Sequence, residues 1–142
     1  MTDVHTPEQR SRNMAAIRCK NTTPELKVRL ALHALGFRYR LHRRDLPGRP
    51  DIVLPKFNAI VFVHGCFWHM HKCPIGKPTP VTNSDFWSQK RAGNVLRDGR
   101  NRKLLNRAGW RVFTIWECQT RDALKLENAV LRVASSLLQE AL

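Results

Sequence analysis

Acidic residues are scarce in this 142-residue chain: eleven Asp and Glu stand against twenty-five Lys and Arg, leaving a net charge of +14. The shortage leaves few carboxylates that could hold a metal ion. It also makes a polyanion the natural partner, because binding releases the counterions condensed on phosphates. Nucleic acid fits that description better than an acidic membrane surface. Long apolar runs are missing too. None approaches the ~20 residues a bilayer-spanning helix requires, so no membrane partner is expected. The opening MTDVHTPEQRSRNM has no apolar core and does not read as a signal peptide. The expected compartment is therefore the cytosol. Cysteine is limited to Cys19, Cys66, Cys73 and Cys118. In a reducing compartment such thiols are more often metal ligands or buried side chains than disulfides. Internal repeats and low-complexity tracts are absent.

The remaining pattern describes one layered α/β domain spanning residues 1–142. Thr6, Pro7 and Gln9 start a helix that runs to about Arg18, rich in Arg and Asn; residues 1–20 read as a DNA-contacting arm. A second helix, about Pro24 to Leu35, carries Leu26, Leu30 and Ala34 with Val28, Leu32 and Leu35 at helical spacing, and Gly36 caps it. Strands are expected at Phe37–Arg43, Asp51–Leu54 and Ala59–Val63, in a meander, the last buried on both faces. From His64 to about Asn83 periodicity is lost, and Pro, Gly, His and Cys crowd into a functional loop. A long polar helix, about Ser84–Arg107, is interrupted by Gly93 and Gly99. A strand at Trp110–Trp116 follows. A closing helix, Ala123–Leu138, turns Leu124, Val130, Leu131, Leu137 and Leu138 inward.

Two groups of residues carry chemistry. HGCFWHMHKC packs two Cys and three His into ten residues, and structural zinc wants four such ligands in a tetrahedron. Cys66, His71, Cys73 and Cys118 supply a Cys₃His set, and the distant Cys118 would tie the loop to the last strand. His69 competes with His71, and spacing does not choose between them. Cys19 has no ligand type beside it. The second group is acidic. A nuclease uses a carboxylate to hold magnesium against a phosphate. Asp51, after Gly48-Arg49-Pro50, emerges at a strand edge; its other reading is a local Asx-turn residue. Glu25 fits a capping box with Thr22 as readily as a catalytic site. His64 and His69, just past the third strand, can exchange protons near neutral pH.

SRNM (Ser11–Met14), GRPDIVLP (Gly48–Pro55), VFVHGCFWHMHKC (Val61–Cys73), FWSQKRAGNVLRD (Phe86–Asp98) and GWRVFTIWEC (Gly109–Cys118) together resemble the very-short-patch repair endonuclease family over nearly the whole chain. The resemblance implies a restriction-endonuclease-like mixed β-sheet flanked by helices, catalytic Mg²⁺ and structural Zn²⁺. The implied activity is a nick 5′ of the thymine in T·G mismatches left by 5-methylcytosine deamination, on double-stranded DNA. By the same resemblance Asp51 is the metal-binding carboxylate, the Val63 carbonyl contacts metal, His69 is catalytic, and Glu25 and His64 support it. Zinc then falls to Cys66, His71, Cys73 and Cys118. Phe67, Trp68 and Trp87 would wedge into the duplex from within a 64–83 zinc and intercalation loop and the helix after it, with Met14 entering opposite and Lys90 and Asn94 at the mismatched pair. Otherwise Phe67 and Trp68 are core residues, and Lys90 and Asn94 a solvated helix face. A monomer is expected, with a mismatch-repair coordinator protein as an implied partner. The wider superfamily's Glu-x-Lys is missing; Val63 and His64 stand in its place, which passes the lysine's role to a histidine. Two other functions fit the residues less fully: a restriction-type enzyme cutting both strands, and a zinc-stabilised DNA-binding module without chemistry.

Overall fold

The computed structural model describes residues 22–74, 76 and 83–140. The expected arm at residues 1–20, with Met14, Cys19 and the helix from Thr6 to Arg18, lies outside the described residues, as does part of the 64–83 loop.

Four strands form one mixed sheet in the order β1-β2-β3-β4: β1 (Arg40–Leu41), β2 (Ile52–Leu54), β3 (Ala59–His64) and β4 (Arg111–Trp116). The first three make the expected antiparallel meander. β4 runs parallel to β3, with His64 opposite Trp116 at their carboxyl ends. β1 is far shorter than the Phe37–Arg43 strand expected. Its partner β2 is only three residues long, set between Pro50 and Pro55, and proline cannot extend a ladder inward. Asp51 itself falls one residue outside β2.

Helices cover both faces. On one face α1 (Thr23–Ala34) and α4 (Ala123–Glu140) pack on Ile52, Leu54, Ala59, Val61 and Ile115. On the other, Leu105 of α2 (Ser84–Arg107) packs on Val53, Ile60 and Phe62. β3 is thus buried on both sides, as its unbroken apolar run implied. A four-residue helix, α3 (Glu117–Thr120), absent from the sequence reading, follows β4 directly.

The buried stripes differ from those expected. In α1 it is Glu25, Val28 and Leu32 that face inward, while Leu26, Leu30, Ala34 and Leu35 are exposed. The helix is turned so that a carboxylate enters the interior beside Val28 and Leu32. In α4 the core stripe is Ala129, Val130, Val133, Ala134 and Leu137, and Leu124, Leu131 and Leu138 lie on an exposed flank. Those three recur every seven residues and drift off the stripe that the sheet covers.

α2 is continuous through both Gly93 and Gly99, where interruptions were expected. Helical propensity is overridden because the helix is held along its length by buried Arg91 and Leu105. A methyl group at Gly99 would meet nothing within 4 Å. Gly99→Ala should therefore stabilise the protein by about 0.5–1 kcal/mol, seen as a higher urea midpoint at unchanged slope.

Candidate active site and metal centre

Asp51 sits between β1 and β3. Its Oδ2 accepts the Val63 N–H at 2.9 Å, and its own carbonyl accepts the His42 N–H at 3.1 Å. Behind it lies Glu25, only 2% exposed. Thr22 does cap α1, its Oγ1 accepting the Glu25 N–H at 3.3 Å. The Glu25 carboxylate goes elsewhere: Arg29 donates to Oε2 at 3.0 Å, and His42 Nε2 lies 2.9 and 3.0 Å from its two oxygens. The local capping role was half the story. Ligand atoms of Glu25, His42 and Asp51 all lie within 4.8 Å of one another. Burial first, and the Glu25 carboxylate in addition, push the Asp51 carboxyl up to about 7, against the Val63 N–H that favours its ionised form. Two carboxylates forced together out of water form a site that a cation would relieve.

A cleft of about 400 Å³ opens on Asp51, lined also by Arg49, His64, His69, Asp98 and Arg102 among others. His64 and His69 stack with ring centroids 3.9 Å apart and 5° between planes. His69 Nδ1 lies 2.5 Å from Asp98 Oδ2. An ionised carboxylate only accepts, so Nδ1 carries the hydrogen, which leaves Nε2 as the ring nitrogen that can exchange a proton. His64 is pushed down to about 3, chiefly by burial and then by His69, so it stays neutral at ordinary pH. Sequence reasoning brought Asp51, His64 and His69 to one cleft and missed Asp98. A carboxylate in a basic helix 29 residues from its histidine leaves no local signal.

His71 takes different partners from His69. It stacks on Trp116 at 4.1 Å and joins Cys66, Cys73 and Cys118, whose ligand atoms lie within 4.8 Å of one another. His71 Nδ1 is 3.7 Å from Cys66 Sγ and 3.5 Å from Cys118 Sγ. A tetrahedron with Zn–S near 2.3 Å and Zn–N near 2.05 Å separates N from S by about 3.5 Å, so this donor set fits such an ion. Burial, with its neighbouring thiols, pushes the Cys66 thiol up to about 12; a bound cation would favour the thiolate instead. Cys118 arrives from α3, which starts beside the carboxyl end of β3 because β3 and β4 are parallel.

Phe67, Trp68 and Trp87 are half-buried rather than projecting freely. Their rings meet at 5.1, 5.4 and 5.7 Å, and exposed Phe86 joins them, 5.2 Å from Trp87. Lys90 Nζ stands 5.8 Å from the Trp68 ring, and Asn94 Nδ2 donates to the Trp68 carbonyl at 2.9 Å. Both therefore brace the aromatic group. The anchor is Arg91, 1% exposed. Its guanidinium sits 4.5 Å over Phe67 and donates to the carbonyls of Phe67, at 2.7 Å, and Gly76. One arginine among many on a basic helix gave no sign of this in the sequence.

Two outcomes follow from these sites. Cys118→Ser should reduce bound thiolate-coordinated metal and lower the melting temperature by roughly ten degrees or more, since metal binding and folding are coupled; metal analysis and a thermal melt check both. Asp51 contributes to stability in full only below the ordinary aspartate range near 3.9. That contribution is lost as pH rises through about 7, where the buried group must ionise. Without added magnesium, Asp51→Asn should therefore melt several degrees above wild type at pH 8 and at nearly the same temperature at pH 4.

The family model for "DNA mismatch endonuclease Vsr" matches residues 2–75. The chain is 50% identical over 127 residues to the type II nicking enzyme V.XorIIP of Xanthomonas oryzae pv. oryzae, covering 89% of this chain and 93% of that one. It is 41% identical over 131 residues to the DNA mismatch endonuclease Vsr of Escherichia coli, covering 92% and 83%. A third relative, the type II nicking enzyme V.NmeAIP of Neisseria meningitidis, is 43% identical over 122 residues, covering 86% of each. The mixed sheet flanked by helices, with a Cys/His cluster at its edge, agrees with the restriction-endonuclease-like fold expected. The chain belongs to the DNA mismatch endonuclease Vsr family.

Proposed function

We propose that this protein is a magnesium-dependent endonuclease that nicks one DNA strand 5′ of the mismatched thymine at T·G pairs, starting very-short-patch repair of deaminated 5-methylcytosine. Membership of the family supports endonuclease chemistry on DNA, and the relatives named as nicking enzymes favour single-strand cleavage. The observation that carries the reading is the shared cleft. Asp51 and the Asp98-bound His69 open on one cavity, with arginines at its rim and a net charge of +14 behind it.

Asp51, backed by Glu25 and with the Val63 carbonyl nearby, would hold the divalent ion. Magnesium bound there would neutralise phosphate charge and acidify water. Asp98 fixes His69 in the tautomer whose Nε2 faces proton transfer. Neutral His64 stacks against that ring and holds its plane without adding charge. Arg49 and Arg102 line the same cleft and would receive the phosphodiester. Cys66, His71, Cys73 and Cys118 would hold structural zinc, which keeps the loop after β3 at its place beside the cleft.

Phe67, Trp68 and Trp87 form a preassembled aromatic wedge at the cleft's side, with Met14, outside the described residues, as the opposing group. An apolar wedge must unstack a base step, at a cost of about a few kcal/mol that falls at a mismatch. That difference would supply the preference for T·G, with Lys90 and Asn94 turning from the wedge to the bases. The reading is completed by a monomer acting in the bacterial cytoplasm, associated with the nucleoid through DNA.

Strand-specific end labels on T·G and T·A duplexes of one sequence test the activity. A single nick on the thymine strand of the T·G duplex is expected, and cuts in both strands of the T·A duplex would instead support a restriction-type enzyme. Asp51→Ala should abolish cleavage while DNA affinity stays within about tenfold, since affinity comes chiefly from phosphate contacts elsewhere.

A further inference from the structure

His42 follows β1 directly, in a left-handed conformation with φ at +50°. Two contacts leave it for two different elements. Its main-chain N–H donates to the Asp51 carbonyl at 3.1 Å, and its imidazole Nε2 reaches both oxygens of Glu25 at 2.9 and 3.0 Å. Because the ionised carboxylate offers no hydrogen, Nε2 is the donor. Arg29 also holds Glu25, at 3.0 Å, but Arg29 lies one turn along the same helix and moves with it. His42 is fixed instead to the Asp51 segment. One residue thus ties the helix carrying one carboxylate to the strand edge carrying the other, and ligand atoms of all three lie within 4.8 Å.

We propose that His42 is a positioning residue that holds the Glu25 carboxylate beside Asp51 at the separation a divalent cation needs. The proposal rests on the reading that Asp51 is the centre of a metal-dependent cleavage site. Like outer partners that orient metal ligands elsewhere, His42 would act on metal affinity rather than on DNA binding.

Two substitutions separate the imidazole from the backbone. Asn tolerates the left-handed conformation but is too short to reach Glu25. Gln places an amide donor about where Nε2 stands. With zinc-loaded protein and no DNA, binding of Mn²⁺ is followed by the spin-resonance signal of the free ion. Cleavage is followed against magnesium concentration, alongside DNA affinity without divalent ions and a thermal melt. His42→Asn should weaken Mn²⁺ binding, and raise the magnesium needed for half-maximal cleavage, by about tenfold or more, with DNA affinity unchanged. His42→Gln should recover most of both. Wild-type Mn²⁺ binding and magnesium response in His42→Asn would overturn the proposal, as would equal impairment of both variants with a matching loss of thermal stability. Asp51→Ala is the control for the underlying reading. If that variant still cleaves, the reading fails and the proposal with it; if it is inactive while His42→Asn behaves as wild type, only the proposal fails.

Discussion

Two carboxylates lie side by side inside this protein, and most of the fold is arranged to tolerate them. Glu25 enters from α1 on the same buried stripe as Val28 and Leu32, and Asp51 meets it from the edge of β2. Like charges out of water repel, and burial pushes Asp51 well above its ordinary range. Arg29, His42 and the Val63 N–H offset part of that penalty. What remains is an electrostatic demand for a cation, set into a cleft on a strongly basic molecule. On the proposed reading the site would draw a polyanion and a divalent ion together, the ion reconciling the acidic pair with the phosphate.

The parallel pairing of β3 and β4 decides what surrounds that pair. His64 ends β3 opposite Trp116 at the end of β4, so the loop after one strand and α3 after the other leave the sheet at the same edge. Ligand-bearing segments in α/β folds collect at the carboxyl ends of parallel strands for this reason. Cys118 meets Cys66, His71 and Cys73 there, and His69 returns over His64. Among its described residues the loop makes turn hydrogen bonds, such as the His69 N–H to the Gly65 carbonyl and the His71 N–H to the Cys66 carbonyl, but no ladder. It is held by side chains: the Cys/His cluster, the buried Arg91 under Phe67, and the ring contacts of Phe67, Trp68 and Trp87. Side-chain packing holds it in place of a ladder, and an ion in the Cys/His cluster would add to that hold.

The same helix serves both ends of this arrangement. α2 sends Asp98 to His69, Arg91 to the loop backbone, and Lys90 and Asn94 to Trp68. Its outer face stays basic and exposed. A shift of this helix would therefore move the histidine and the aromatic group together, which couples the aromatic group to the cleft through a single element.

Much of this was legible in the chain itself. The bounds of the α1 and α2 helices, the doubly buried β3, the meander before it and the Cys/His cluster follow from local periodicity, caps and residue chemistry, which act over a few positions. Asp51 could be singled out because carboxylates are so few. The direction in which side chains turn was another matter. Whether Glu25 capped its helix or entered the interior depended on His42, seventeen residues away, and whether His69 or His71 joined the cysteines depended on where β4 delivered Cys118. Asp98, His42 and Arg91 stand beside their partners only after the sheet has closed. Sequence alone determined which chemical groups were available and on which elements they ride; tertiary structure decided which of them meet, because contact across elements is set by the register of strands and the rotation of helices, and neither is written in the local pattern.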